Sequence, residues 1–171
     1  LVLYAGYKFT DRIVFNSEIE FEHASTGSND QDGQVSVEQA YLDFFLKDWA
    51  NVRAGLVLVP VGFVNELHEP PFFHGNERPS VERQIIPTTW RANGLGVFGD
   101  VGETLSYRTY VVTSLRAERF SSANIRSGRQ NGNVERAKDF SWVGRLDYVP
   151  VLGLDFGASI YLGNQGQGDD L

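Results

Sequence analysis

The sequence contains no cysteine, no methionine and no long hydrophobic run. Without cysteine it has neither a disulfide framework nor a thiolate metal site. No apolar run approaches the ~20 residues that a helical membrane span requires. Leu1 opens within an alternating pattern, with neither an initiating methionine nor a signal segment before it. We therefore expect the 171 residues to be a fragment of a longer mature protein, cut at both ends.

Positive charge is also scarce. The chain has 15 Lys and Arg residues against 22 Asp and Glu residues, which gives a net charge of −7. An acidic chain of this kind is a poor candidate for binding nucleic acid. With 42% apolar and 22% charged residues, it is too apolar to be a disordered segment.

Motifs for catalysis and metal binding are missing as well. No serine lies in a nucleophile elbow, and no phosphate-binding loop or dinucleotide fingerprint occurs. His68 and Glu69 lack the second histidine of a metalloprotease helix, and two prolines separate His68 from His74. We therefore expect neither an enzyme nor a bound cofactor or metal.

One polar stretch partly matches a calcium-binding loop. Asp30 and Asp32 fall at ligand positions, and Gly33 falls at the position of the sharp turn. Ser28 and Gln39 replace the acids usual at the first and last positions, and strands rather than helices are expected on either side. Because Asp-Gly is also an ordinary hairpin turn, calcium binding is the weaker interpretation.

The dominant pattern is alternation with a period of two, which predicts β-strands. In residues 13–22, Ile13 and Phe15 point to one side, whereas Glu18, Glu20 and Glu22 point to the other. The same alternation predicts eight strands at residues 1–9, 13–22, 35–47, 51–62, 90–98, 104–115, 139–149 and 152–162.

Strand length and connection length favour an all-β transmembrane antiparallel barrel. The predicted strands have the ~9–11 residues that span a bilayer at a tilt, longer than the ~5–6 usual in soluble sheets. Short turns alternate with long polar connections at 25–34, 63–89 and 116–138, as in outer-membrane barrels. Aromatic residues near strand ends are typical of interfacial girdles: Phe9, Trp49, Trp90, Phe140, Tyr148 and Tyr161. The alternative is a soluble β-sandwich, which would bury its apolar face in protein.

Four segments sharpen this prediction: Val37–Phe44, the run VRAGLVLVPVG at 52–62, ELHEPP at 66–71 and ERQIIPTTW at 82–90. Together they resemble the phosphate-selective porin O and P family of outer-membrane barrels. The resemblance implies that residues 1–171 are a single segment holding about half of a ~16-stranded barrel. It also implies a bacterial outer-membrane location, contact with lipid and lipopolysaccharide, and a homotrimer.

If the apolar face points outward, charged side chains line the inside. The acidic residues expected there are Glu18, Glu20, Glu22 and Asp43. The basic residues expected there are Arg53, Arg91, Arg108 and Arg145. An arginine series offers successive contacts to anions, because the guanidinium stays charged and binds carboxylate or phosphate oxygens in pairs. The alternative is that these arginines are neutralised by carboxylates across the strands.

Two connections are further functional candidates. Residues 63–89 are too long for a simple turn, and we expect this inserted loop to fold into the barrel and narrow it. The alternative is an extracellular cap. Ser80 is expected to cap a short helix that begins at Val81. The basic connection 116–138 would meet lipopolysaccharide phosphates or anionic solutes, or be merely solvated.

The sequence thus predicts a porin for passive diffusion of small hydrophilic solutes, with a preference for anions such as phosphate as a hypothesis. A second interpretation is a structural or interaction barrel, either a sheath around a partner or a receptor with a plugged lumen. The third is a soluble β-sandwich that acts as a binding module.

Overall fold

The computed structural model describes residues 1–22, 33–73 and 75–168, and its eight strands form one antiparallel sheet in which every strand pairs with its neighbours in sequence. The strands are β1 (Val2–Thr10), β2 (Ile13–Glu22), β3 (Gln34–Lys47), β4 (Ala50–Leu58), β5 (Arg91–Val101), β6 (Leu105–Thr113), β7 (Phe140–Val151) and β8 (Leu154–Gly163). Asp30, Asp32 and His74 lie outside the described residues.

This architecture confirms the prediction of an all-β chain with eight strands. The largest difference is at the end of β4, which stops at Leu58 rather than at residue 62. Pro60 has no N–H group to donate to a neighbouring strand, so the chain leaves the sheet there. β5, in the glycine-rich segment, has 11 residues and pairs on both sides.

Helical structure in the described residues is limited to short turns. Three of them are 3₁₀ turns, at Pro70–Phe72, Ala117–Arg119 and Arg126–Gly128, and one is a π-helical turn at Val81–Ile85. The π-helical turn begins at Val81 as predicted, but Ser80 makes no capping hydrogen bond. Ser80 already has helical backbone angles, whereas a capping residue is usually extended. No helix among the described residues is long and apolar enough to cross a membrane.

The strand register separates the sheet into two faces. On the first, which we call the apolar face, one row of directly paired residues crosses all eight strands: Tyr7, Phe15, Leu42, Ala54, Leu95, Val111, Trp142 and Leu162. Much of this face is open, and Leu95 is 57% exposed. The other side is the polar face, where Asp43 pairs with Arg53.

The buried core lies on the polar face, near the ends of the strands that carry the long connections. It includes Val57, Val112, Val143 and Trp90, and the Trp90 ring lies 4.7 Å from that of Tyr161 between centroids. The expectation that Trp90 and Tyr161 belong to an exposed aromatic girdle is therefore wrong. The other four predicted girdle residues, Phe9, Trp49, Phe140 and Tyr148, are exposed.

The sheet of described strands is open. β1 pairs only with β2, and β8 pairs only with β7. Each of these two edge strands therefore has one side on which its backbone groups have no partner strand among the described residues.

Candidate functional site

The connection between β4 and β5, residues 59–90, lies across the polar face, and we call it the inner loop. At its start, Gly62 donates a backbone hydrogen bond to Ser159 Oγ of β8, at 3.3 Å, and accepts one from Arg145 of β7. Further along, His68 Nε2 lies 2.5 Å from Glu38 Oε2 of β3. The inner loop therefore follows the polar face from one side of the sheet towards the other.

These contacts connect strands that lie far apart in the sheet. His68 Nε2 lies 3.9 Å from Glu18 Oε1 of β2, whereas Gly62 touches β8, six strands away in the sheet. The inner loop therefore bridges most of the width of the sheet on its polar face.

The two ends of the inner loop are tied together by Asn65, which is 1% exposed. Its side-chain amide donates to the carbonyl of Val59 at 2.8 Å and to that of Trp90 at 3.0 Å. Its side-chain oxygen accepts from the Trp90 N–H at 2.8 Å. Because these hydrogen bonds are buried, they hold the loop ends firmly where the chain leaves β4 and enters β5.

Arg53 is the first of the predicted arginines, and it is fully paired. Its guanidinium donates two hydrogen bonds to the carboxylate of Asp43, at 2.8 and 2.9 Å. It also lies over the rings of Tyr41 and Phe98, at 3.9 and 4.9 Å from the centroids. This combination of a two-point ion pair and two aromatic faces fixes the side chain in place.

Arg108 and Arg145 share one carboxylate. Asp147 accepts from Arg108 Nη1 at 2.7 Å and from Arg145 Nε at 2.8 Å. Glu66 of the inner loop lies 3.4 Å from Arg108 Nε, so Arg108 has a second carboxylate beside it. Burial raises the pKa of Glu66, against the lowering effect of Arg108, Arg145 and Arg53. The inner loop thus enters the charged cluster of the polar face.

Arg91 does not belong with the other three arginines. It pairs in register with Leu58, and its neighbour two residues on, Asn93, pairs with Leu56 of the apolar face. By alternation, Arg91 therefore starts β5 on the opposite side from Arg53, which corrects the predicted grouping. At this strand end its guanidinium still reaches Glu38, with Nη1 at 3.1 Å from Oε1.

The four predicted acidic residues do share the polar face by register, since Glu18 pairs with Tyr4 and Asp43 with Val14. Glu18 and Asp43 are buried, whereas Glu22 is exposed. Each of the four predicted arginines has a carboxylate partner within 3.1 Å. The arginines are therefore paired with carboxylates, which was the alternative interpretation of the sequence.

A basic cluster lies at the rim that carries the long connections. Burial and the neighbouring charges of Arg126, Arg91 and Arg78 lower the pKa of Arg129 to about 10. Three other arginines therefore lie near Arg129 at this rim, and Arg91 among them is also paired with Glu38. A cavity of about 680 Å³ beside it is lined partly by Arg91, Arg116, Arg119 and Arg129.

One relative of this chain is known from Aquifex aeolicus (strain VF5), where it is described as an uncharacterized protein. The two are 44% identical over 165 residues. The alignment covers 95% of this chain but only 38% of that protein. No protein family and no solved structure matches the chain. The chain therefore spans less than half the length of this relative.

Sequence reasoning missed two residues of the site, Glu38 and Glu66. Glu38 lies at a register irregularity between β2 and β3, where Glu18 pairs with Gln39 but Ile19 pairs with Val37. No local sequence pattern indicates where one strand carries an extra residue relative to its partner. Glu66 lies in the run ELHEPP, but its partner Arg108 is distant in sequence.

Proposed function

We propose that this chain forms part of the wall of an outer-membrane β-barrel porin, through which small hydrophilic solutes diffuse passively. The main supporting observation is the row of eight apolar residues that crosses the whole sheet on its open face, opposite a polar face. Exposed apolar areas of this extent mark contact with a membrane or a partner. Apolar outside and polar inside is the arrangement of a transmembrane barrel.

Strand length agrees with this proposal. The eight strands have between 9 and 14 residues, which matches the ~9–11 residues of a tilted transmembrane strand. In lipid, every backbone N–H and C=O must be paired, so the open edges of β1 and β8 need partner strands. The Aquifex relative is more than twice as long as the aligned region, which leaves room for such strands in a protein of its length.

The inner loop is the proposed constriction. It lies on the polar face, where water would pass, and its contacts reach from Ser159 on β8 to Glu18 on β2. A loop folded against the inner wall narrows the lumen and brings Glu66 to the charged cluster around Arg108. Pore width and lining charge would then select among solutes.

Selectivity is proposed to arise in two places. Inside, the arginines Arg53, Arg108 and Arg145 are each paired with a carboxylate, so they offer mixed charge rather than an anion path. At the rim, the arginines that line the cavity beside Arg129 would attract anionic solutes or lipopolysaccharide phosphates. The resemblance to phosphate-selective porins supports a channel. Any preference for anions would arise from the arginines at the rim.

A second candidate function is a receptor with a plugged lumen. The observation that favours it is the firm anchoring of the inner loop, in which Val64 and Asn65 are buried on the polar face. A loop held this tightly would block the lumen if the rest of the barrel closes around it. A soluble β-sandwich requires a separate cover for the apolar face, which no described residue supplies except near the rim.

Conductance separates these functions. The full-length protein would be purified in detergent and added at picomolar amounts to a planar lipid bilayer in KCl. A porin produces discrete, long-lived current steps, whereas a plugged receptor inserts but stays silent. Protein that remains monodisperse in buffer without detergent, and that never inserts, would support the soluble sandwich and contradict the porin.

A further inference from the structure

Three potential metal ligands converge where the inner loop meets β2. Ligand atoms of Glu18, His68 and Glu69 all lie within 4.8 Å of one another. Glu18 comes from the strand, whereas His68 and Glu69 are consecutive residues of the loop. We propose that these three residues bind a divalent transition-metal ion, with Zn²⁺ as the expected ion.

The first supporting observation is an unpaired oxygen. Glu18 is 1% exposed, and its Oε2 accepts a hydrogen bond from Gln39 at 2.7 Å. Its other oxygen, Oε1, is buried without a hydrogen-bond partner among the described residues. This oxygen lies 3.9 Å from His68 Nε2 and so faces the cluster. A buried carboxylate oxygen left in this way is costly unless a proton or a cation meets it.

The second observation is the orientation of His68. Its Nε2 is bonded to Glu38 Oε2 at 2.5 Å, and its Nδ1 is buried without a partner among the described residues. Nε2 is also the nitrogen that faces Glu18 Oε1, at 3.9 Å, so an ion in the cluster would take the place of the Glu38 contact at Nε2. The proton of a ligating histidine lies on its other nitrogen, which here is Nδ1.

The third observation is the local charge. Glu18, Glu38 and Glu69 gather around the imidazole of His68. Two guanidinium groups lie beside it: Arg91 contacts Glu38, and Arg78 donates to the backbone carbonyl of His68 at 2.9 Å. Carboxylates therefore outnumber cations here. A divalent ion between Glu18 and Glu69 would offset the repulsion of two carboxylates that share a largely buried site.

The ligand set favours zinc over calcium. Zinc accepts imidazole nitrogen together with carboxylate oxygen at about 2.0–2.2 Å, often with three protein ligands and one water. Calcium takes six to eight oxygen ligands and rarely uses imidazole. Small rotations of the three side chains would bring their ligand atoms onto one ion. Such an ion would fasten the inner loop to β2, whether or not the barrel conducts.

The test is zinc binding by the full-length protein, stripped with a chelator and kept in the detergent or buffer in which it is monodisperse. Calorimetry with ZnCl₂, a parallel titration with CaCl₂, and metal analysis after dialysis give affinity, preference and stoichiometry. The variants are Glu18→Gln and Glu69→Gln. Glu18 is buried, so its replacement could impair folding. In that case the variant of the partly exposed Glu69 decides the test. The matched control is Glu103→Gln, in the exposed turn between β5 and β6.

We expect one zinc ion at this site, an affinity at least about tenfold weaker in both glutamine variants, and no change in the control. Zinc should also raise the Tm of the unmodified protein but not of the Glu69→Gln variant. Zinc affinity that is the same in all variants, calcium binding as tight as zinc binding, or no zinc binding at all would overturn the proposal. In the last case, a proton shared between Glu18 and Glu69 would account for the cluster. These outcomes are independent of conductance.

Discussion

Arg108 on β6 and Arg145 on β7 stand directly opposite each other in the sheet, although both carry positive charge. Adjacent like charges repel, and the carboxylate of Asp147 offsets this by accepting hydrogen bonds from both. Glu66 approaches Arg108 from the inner loop, at 3.4 Å. The polar face therefore carries a compensated cluster, and removing one member should change the charge that a solute meets.

The first prediction concerns ion selectivity. Arg108→Ala removes one positive charge and leaves Glu66 and Asp147 with less compensation, so we expect the channel to shift towards cations. Arg108→Lys keeps the charge and should shift it less. The measurement is the reversal potential across a bilayer in a KCl gradient.

The matched control for this prediction is Arg12→Ala, which removes the same charge from the exposed turn between β1 and β2. We expect no change of reversal potential for Arg12→Ala. Equal shifts for both variants, or no shift for Arg108→Ala, would mean that this cluster does not face the permeating ions.

The second prediction concerns the inner loop. Deletion of residues 66–86 removes the loop contacts of Glu66 and His68 but keeps Asn65, which ties Val59 to Trp90. The shortened loop should therefore still close, and we expect a higher single-channel conductance because the lumen is wider. Conductance equal to that of the unmodified protein would contradict the constriction role.

The third prediction concerns the apolar face. Leu95 lies in the middle of β5 and is 57% exposed. In a bilayer, Leu95→Arg should lower the free energy of unfolding by about 2–4 kcal/mol, as measured by urea titration in lipid vesicles. On a water-exposed surface the same replacement would change the free energy of unfolding by no more than about 0.5 kcal/mol.

The control for Leu95→Arg is Val134→Arg, an equally charged replacement at a residue that is 90% exposed in the connection between β6 and β7. It lies outside the strands, so we expect almost no change in the free energy of unfolding. A Leu95→Arg effect as small as that of Val134→Arg would place the apolar face in water.

The strands could be predicted from the sequence because alternation is a local property of the chain. Ile13, Phe15, Glu18 and Glu20 alternate along β2, and their faces follow directly from the period of two. Arg91 was assigned to the wrong face because Gly94 and Gly96 of β5 have no side chains with which to mark the polar side. A glycine has no side chain, so the local pattern cannot indicate which face it occupies.

The candidate site could be predicted only in part. The sequence indicated that the loop 63–89 folds inward, but not which residues it meets. The contacts of Glu66 with Arg108 and of His68 with Glu18 depend on strand register and on the path of the loop across the sheet. A register irregularity such as the one at Glu38 changes these contacts without leaving a local signal. For this reason the sequence did not indicate that Glu18 lies beside His68 and Glu69.

In the proposed porin, the apolar face meets lipid and the polar face meets water. Ala158 and Ser159 are consecutive exposed residues of β8, and they point to the apolar and the polar face, respectively. Because the chain contains no cysteine, Ala158→Cys and Ser159→Cys each provide a single labelling site of similar size in it.

The most direct measurement is fluorescence quenching of an environment-sensitive thiol label on each of these two variants, reconstituted in lipid vesicles. We predict that nitroxide lipids quench the label of Ala158→Cys and that aqueous iodide quenches the label of Ser159→Cys. Equal quenching of both labels by iodide, with none by the nitroxide lipids, would contradict the account.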